Sequence, residues 1–165
     1  MYRDAVLSHN RKYRYQLVRI WDSKLPTVAW ILLNPSKADE KEDDATVRRC
    51  IRFATRWGCG GIEIYNLFAF RSTDPRRLLE VADPIGPNND RFLAELAQNR
   101  MGIVIAWGVV PKPLSGRAKR VTRRLARHAA KRLMCLGLTK GGHPKHPARL
   151  PKNTKPRLFA GLTPR

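Results

Sequence analysis

Two asparagines and two histidines are the side chains of this chain best suited to chemistry on a polar ligand. Asn34 stands in "ILLNPS", at the end of an apolar run with Pro35 behind it. An asparagine there gives up strand propensity. Its amide can hold a water or meet a polar edge, or it can cap the following loop in an Asx-turn. Asn66 stands inside a second apolar run, "IYNLFAF". A buried amide has to be hydrogen-bonded, either to neighbouring backbone or, as a donor beside an acceptor, to the edge of a base. His143 and His146 fall in "GGHPKHP". An imidazole can donate to a leaving group or bind a metal, or it can face solvent among the prolines.

The acids Asp39, Glu40, Glu42, Asp43 and Asp44 could together hold Mg²⁺. Helix capping and a solvated loop, with nearby arginines relieving the repulsion, account for them better. Two histidines without an adjacent acid are a weak metal signal. Cys50, Cys59 and Cys135 form no CxxC pair and are expected as inert thiols. No metal and no cofactor are therefore expected. The chain has neither a glycine-rich phosphate loop nor a Gly-x-Ser-x-Gly elbow.

The elements that must position these side chains can be read from hydrophobic periodicity. Tyr13–Trp21 alternates as a half-buried strand does, and Thr27–Leu33 is continuously apolar, as a strand buried on both faces is. Asp43 or Asp44 can cap a helix in which Val47, Cys50, Ile51 and Ala54 recur at helical spacing. "GIEIYNLFAF" and "GIVIAWG" read as further strands, and a short helix, a proline-rich link and a longer helix lie between them. Residues 115–134 read as a helix with Ala118, Val121, Leu125, Ala129 and Leu133 on one stripe, and "MCLGLT" as a fourth apolar strand. The expectation is one α/β domain over residues 1–150, three-layer α/β/α with a mostly parallel central sheet. A basic, proline-rich tail over 151–165 is expected to be extended or disordered. In such a fold the site lies beyond the carboxyl ends of the strands, where Asn34, Asn66, Trp107–Gly108 and the His143/His146 loop fall.

The net charge is +20 over 165 residues. Residues 96–165 hold 17 Lys+Arg and no acid, whereas residues 1–95 hold 16 against all 13 acids. That asymmetry points to a polyanionic partner, nucleic acid before an anionic membrane, and DNA before RNA. Arg71, Arg117, Arg120, Arg124, Arg127 and Lys131 are the candidates for contacts to its backbone. No apolar run has the length of a membrane span, and the N-terminal residues lack the apolar core of a signal peptide. A cytoplasmic protein is expected, with its oligomeric state left open.

The blocks "LLNPSKAD", "NLFAFRSTDP", "IGPNND", "AWG" and "GLTKGGHPKHP" resemble a bacterial and phage family of domains of unknown function. More distantly, their order is similar to that of the uracil-DNA glycosylase superfamily, which has Asn-Pro, Asn-x-x-x-x-Arg and His-Pro blocks at its strand ends. The resemblance implies that Asn34 positions a hydrolytic water and that Asn66 reads a flipped base. It implies that His143 or His146 donates to the base oxygen, and that Ser36, Trp107 and Gly108 line the base pocket. Ser36 stands where those proteins have Gly, and the Ser that follows their His-Pro is absent here. The expected activity is N-glycosylase-like hydrolysis, or another modification of a flipped base in nucleic acid. The alternatives are a non-catalytic DNA- or RNA-binding module of the same fold and an enzyme acting on a free nucleotide or nucleoside.

Overall fold

A computed structural model describes residues 1–99 and 101–161. The chain is α/β, built on one mixed seven-stranded sheet with three α-helices. The strands are β1 (Tyr2–Leu7), β2 (Arg14–Ile20), β3 (Thr27–Leu32), β4 (Gly61–Asn66), β5 (Ile103–Ile105), β6 (Leu133–Cys135) and β7 (Arg157–Leu158). The helices are α1 (Ala45–Arg56), α2 (Asn89–Gln98) and α3 (Ser115–Ala129). The sheet order is β1-β2-β4-β3-β5-β6-β7.

The central four strands, β4-β3-β5-β6, run parallel, so their carboxyl ends lie on one side. Leu32 pairs with Asn66, and Ile31 with Ile105, which in turn pairs with Cys135. The expected parallel character is confined to this centre: β1, β2 and β7 pair antiparallel, which makes the whole sheet mixed. Alternation along β3 sends Val28, Trp30 and Leu32 into a core with Val47, Cys50 and Phe53 of α1. It sends Ala29 and Ile31 into another core with Leu93 and Leu96 of α2 and Val121 and Leu125 of α3.

Three local readings change. β1 is a strand that the weak alternation of "YRDAVL" does not reveal; it forms by pairing with β2. Leu133 and Met134, which read in the sequence as the end of the long helix, belong to β6. Leu133 continues the apolar helical stripe by spacing, yet it pairs in parallel with Ile103, and tertiary pairing overrides the local pattern. The segment after residue 150 is extended, and Arg157–Leu158 adds to the free edge of β6. Ladder pairing needs no periodicity, so nothing in the sequence announces this strand. Residues 162–165 of the expected tail lie outside the described residues. Among the described residues no helix is long and apolar enough to cross a membrane.

Candidate functional site

The segment from Asn34 to Asp44, which leaves the end of β3, is held from beneath by three arginines. Arg14 donates from Nη1 to the Ala38 carbonyl at 2.8 Å. Arg19, fully buried, pairs through Nε with Asp43 Oδ1 at 2.8 Å and donates to the carbonyls of Asp39 and Glu42. Arg71 reaches the carbonyls of Ser36 and Lys37 at 3.4 and 3.1 Å. A guanidinium fork suits this, because one planar group satisfies several backbone oxygens. Arg71 thus anchors the loop from a half-buried position.

The acidic patch is spent in the same network. Arg11 pairs with Asp39 and Glu40. Asp39 Oδ1 accepts from the amides of Lys41 and Glu42 at 2.8 and 3.0 Å; these bonds, first of all, hold its carboxyl below the usual range. Asp44 is the N-cap of α1, with Oδ1 accepting from Val47 N at 2.9 Å. Among the described residues no group of three or more His, Cys, Asp or Glu side chains is arranged to hold a metal. Cys50, Cys59 and Cys135 are unpaired, and burial pushes the Cys50 thiol well up.

Asn34 is oriented by its amide nitrogen. Nδ2 donates to the carbonyls of Pro35, Ser72 and Phe70 at 3.1, 3.0 and 3.5 Å, which fixes which end of the amide is which. Oδ1 has no donor among the described residues. Across from it, His146 heads a short 3-10 turn, Pro147–Arg149, and its Nδ1 accepts from Ala148 N at 3.1 Å. That bond puts the neutral proton on Nε2. Burial pushes the imidazole pKa below its ordinary value, opposed by the charge of Asp44. Arg49 of α1 steadies the turn by donating to Pro147 O at 3.1 Å.

Asn34, Ser36, Trp107 and His146 line one cleft of about 270 Å³ at the carboxyl ends of the parallel strands. Arg14, Asp44, Thr46, Ser72 and Thr73 share it. Gly108, expected in the pocket, is not among the residues that line the cleft. Its φ of +71° favours glycine, and a Cβ there would stand 3.4 Å from His146 Cβ. Two further expected members stand apart. Asn66 is sealed beneath the cleft at 1% exposure, with Oδ1 3.5 Å from Arg14 Nη2 and Nδ2 without a partner. His143 lines a different cavity, which also has Trp107 in its wall.

Arg14 and Asp44 are the charged cleft residues that sequence reasoning missed, beside the hydroxyl residues Thr46, Ser72 and Thr73. Arg14 opens an alternating strand and so reads as a surface charge, yet it is 2% exposed and its pKa is pushed down to about 10 by burial. The usable signal is a strand arginine followed by an acidic loop with carbonyls to satisfy. Asp44 reads in the sequence only as a cap or a metal ligand.

The basic helix divides in two. Arg120, Arg123, Arg124 and Arg127 of α3 are exposed, as is Lys131 just beyond it. Arg117 is buried; it donates from Nε to Leu67 O at 2.9 Å and pairs with Asp90 at 2.6 Å. Its side chain anchors α3 to the end of β4 and is not offered to solvent.

Residues 14–148 match the family model described as "Protein of unknown function (DUF1643)", and the chain belongs to that family. No curated protein matches the chain. No solved structure matches it either.

Proposed function

We propose that this DUF1643 chain acts on a base of nucleic acid, DNA before RNA, taking it out of the stack into the Asn34–His146 cleft to cleave its N-glycosidic bond or modify it. The observation that carries the reading is the convergence of two oppositely equipped groups on one small cleft. Asn34 offers an oriented acceptor, Oδ1, and His146 offers a neutral donor, Nε2–H. The blocks that resemble uracil-DNA glycosylases supply both residues, and helices against both sheet faces support a three-layer arrangement of that type.

The chemistry follows from these atoms. Cleavage of an N-glycosidic bond builds positive charge on the sugar and negative charge on the departing base. His146 Nε2–H stabilises the base oxygen where that charge grows. Asn34 Oδ1 accepts a hydrogen bond from a water and holds it against the sugar face. Asp44 spends one carboxylate oxygen on the helix cap and has a second for the cationic sugar or the water. Extrusion of the base costs a few kcal/mol, offset by backbone contacts from the exposed cations of α3.

A non-catalytic binding module of the same fold is the second reading, supported by the use of Asn34 Nδ2 to pin the 35 and 70–72 backbone. Incubation with oligonucleotides carrying uracil and other modified bases, followed by mass spectrometry, separates the two. The enzyme reading expects abasic or altered product that is lost in Asn34→Ala and His146→Asn. Tight binding with every base left intact would establish the module instead.

A further inference from the structure

We infer that the cavity lined by Trp107, His143 and Phe159 is a second nucleotide subsite, which holds the nucleotide next to the one in the Asn34–His146 cleft. The inference rests on the reading above and specifies its substrate as a strand of at least two nucleotides rather than a free base. Trp107 lines both spaces, and one short loop gives His146 to the first and His143 to the second, so the two are neighbours that share one residue of their walls.

The cavity measures about 410 Å³, larger than the cleft itself. Lys119 and Arg123, both exposed on α3, stand at its wall, and among the described residues no carboxylate lines it. Cations gathered without an acid repel one another until an anion arrives, and a phosphate meets that need. Phe159, half-buried and packed at the edge of the core, also lines the cavity; its amide donates to Leu133 O at 2.9 Å and so fixes the residue beside β6. His143 is presented by a tight turn: its amide meets Thr139 Oγ1 at 3.1 Å and its carbonyl accepts from Thr139 N at 2.8 Å. An aromatic side chain and a pair of cations lining one cavity are the equipment by which proteins hold single-stranded nucleic acid, with the base on the ring and the phosphate on the cations.

The test reads affinity against strand length. Thymidine 5′-monophosphate and thymidine di- and trinucleotides compete for the full chain against a labelled strand at fixed salt. The second nucleotide is expected to tighten binding by about tenfold, in line with one stacked base. Phe159→Ala and Lys119→Gln/Arg123→Gln are each expected to erase that step while leaving mononucleotide affinity within about twofold. Lys24→Gln/Arg52→Gln removes the same charge elsewhere on the surface and is expected to keep the step. Melting temperature is read for each variant. If Phe159→Ala unfolds, the exposed α3 pair decides alone. Equal losses for mononucleotide and dinucleotide would put the first nucleotide in this cavity and overturn the assignment, as would a step that survives both variants. Binding of long strands without any step would overturn the subsite and leave the proposed function standing. Absence of binding at every length would overturn both.

Discussion

Arg14 Nη2 lies 3.5 Å from Asn66 Oδ1, with both side chains sealed from solvent beneath the cleft. This pairing gives Asn66 a part in holding the fold, because it meets the guanidinium that carries the Ala38 carbonyl and hence the loop from Asn34 to Asp44. Asn66→Ala leaves a buried charge-bearing donor without its partner, at about 1–3 kcal/mol. Urea unfolding should show a lower midpoint with an unchanged slope. A variant of undiminished stability that loses only its choice of base would instead make Asn66 the base reader.

Asn34 gives a sharper contrast between two substitutions. Asn34→Ala removes the donor to the carbonyls of residues 35, 70 and 72. Asn34→Asp sets a carboxylate oxygen against those same carbonyls, which adds repulsion to the loss. Thermal melting should rank wild type above Ala and Ala above Asp. Single-turnover rates should fall in both, because a water held only in the transition state affects rate more than affinity. Melting of the Asp variant above the Ala variant would contradict the amide orientation.

Asp44 can be divided into cap and charge. Asn is as good an N-cap as Asp, whereas Ala costs about 1 kcal/mol. Asp44→Asn should therefore melt close to wild type and Asp44→Ala clearly lower. If the second carboxylate oxygen serves the reaction, both variants lose turnover equally. Full turnover in Asp44→Asn would restrict this residue to capping α1.

His146 predicts the direction of a pH effect. Burial lowers its folded pKa below the ordinary value of 6.5. Above pH 6.5 the imidazole is neutral in both folded and unfolded chains and contributes no pH dependence. As pH falls below 6.5 the unfolded chain takes up a proton first, so stability declines until the folded imidazole is also protonated. The same protonation on Nδ1 breaks the bond from Ala148 N and ends the neutral-donor state. The acid limb of activity should therefore lie below pH 6.5. His146→Asn, which keeps a side-chain acceptor for the Ala148 amide, should melt with a shallower acid dependence than wild type.

The sequence made the strand ends legible because apolar runs bounded by Pro35 and Gly108 mark where buried strands stop, and Asn34 and Trp107 sit immediately before those marks. Asp44 was legible as a cap for the same reason, a polar residue before a helical stripe. The depth of Arg14, Arg19 and Arg117 was not legible. A buried arginine is made tolerable by distant carbonyls and acids, as Arg117 is by Leu67 O and Asp90, and those partners come together only in the fold. β7 was hidden for a related reason, since its pairing with β6 uses backbone groups that every sequence has. The separation of His143 from His146 depends on which of two neighbouring cavities each lines, and spacing in a loop carries no such information.

Salt dependence follows from the same division within α3. Arg120, Arg124 and Arg127 are exposed, Arg124 with only a long 3.9 Å contact to Asp90 Oδ1, whereas Arg117 is committed to Leu67 O and Asp90. Each phosphate neutralised on duplex DNA contributes about −0.9 to the slope of log affinity against log salt. Replacing the three exposed arginines with Ala should flatten that slope by about two to three units if all three contact phosphate. Arg117→Ala should behave differently. It withdraws one of two donors from the buried Leu67 carbonyl, the other being Asn89, and detaches α3 from β4, so it should lower stability by about 1–3 kcal/mol. Its salt slope should stay close to that of wild type at temperatures where it is folded. Titrations of a labelled duplex from low to moderate salt, run beside urea unfolding of both variants, check the two effects together. A triple variant with an unchanged slope would move the phosphate track off α3, towards the exposed Lys12 and Arg77 beside the cleft that Arg71 and Ser36 border. A flattened slope in Arg117→Ala would mean that its guanidinium leaves Asp90 to meet the nucleic acid.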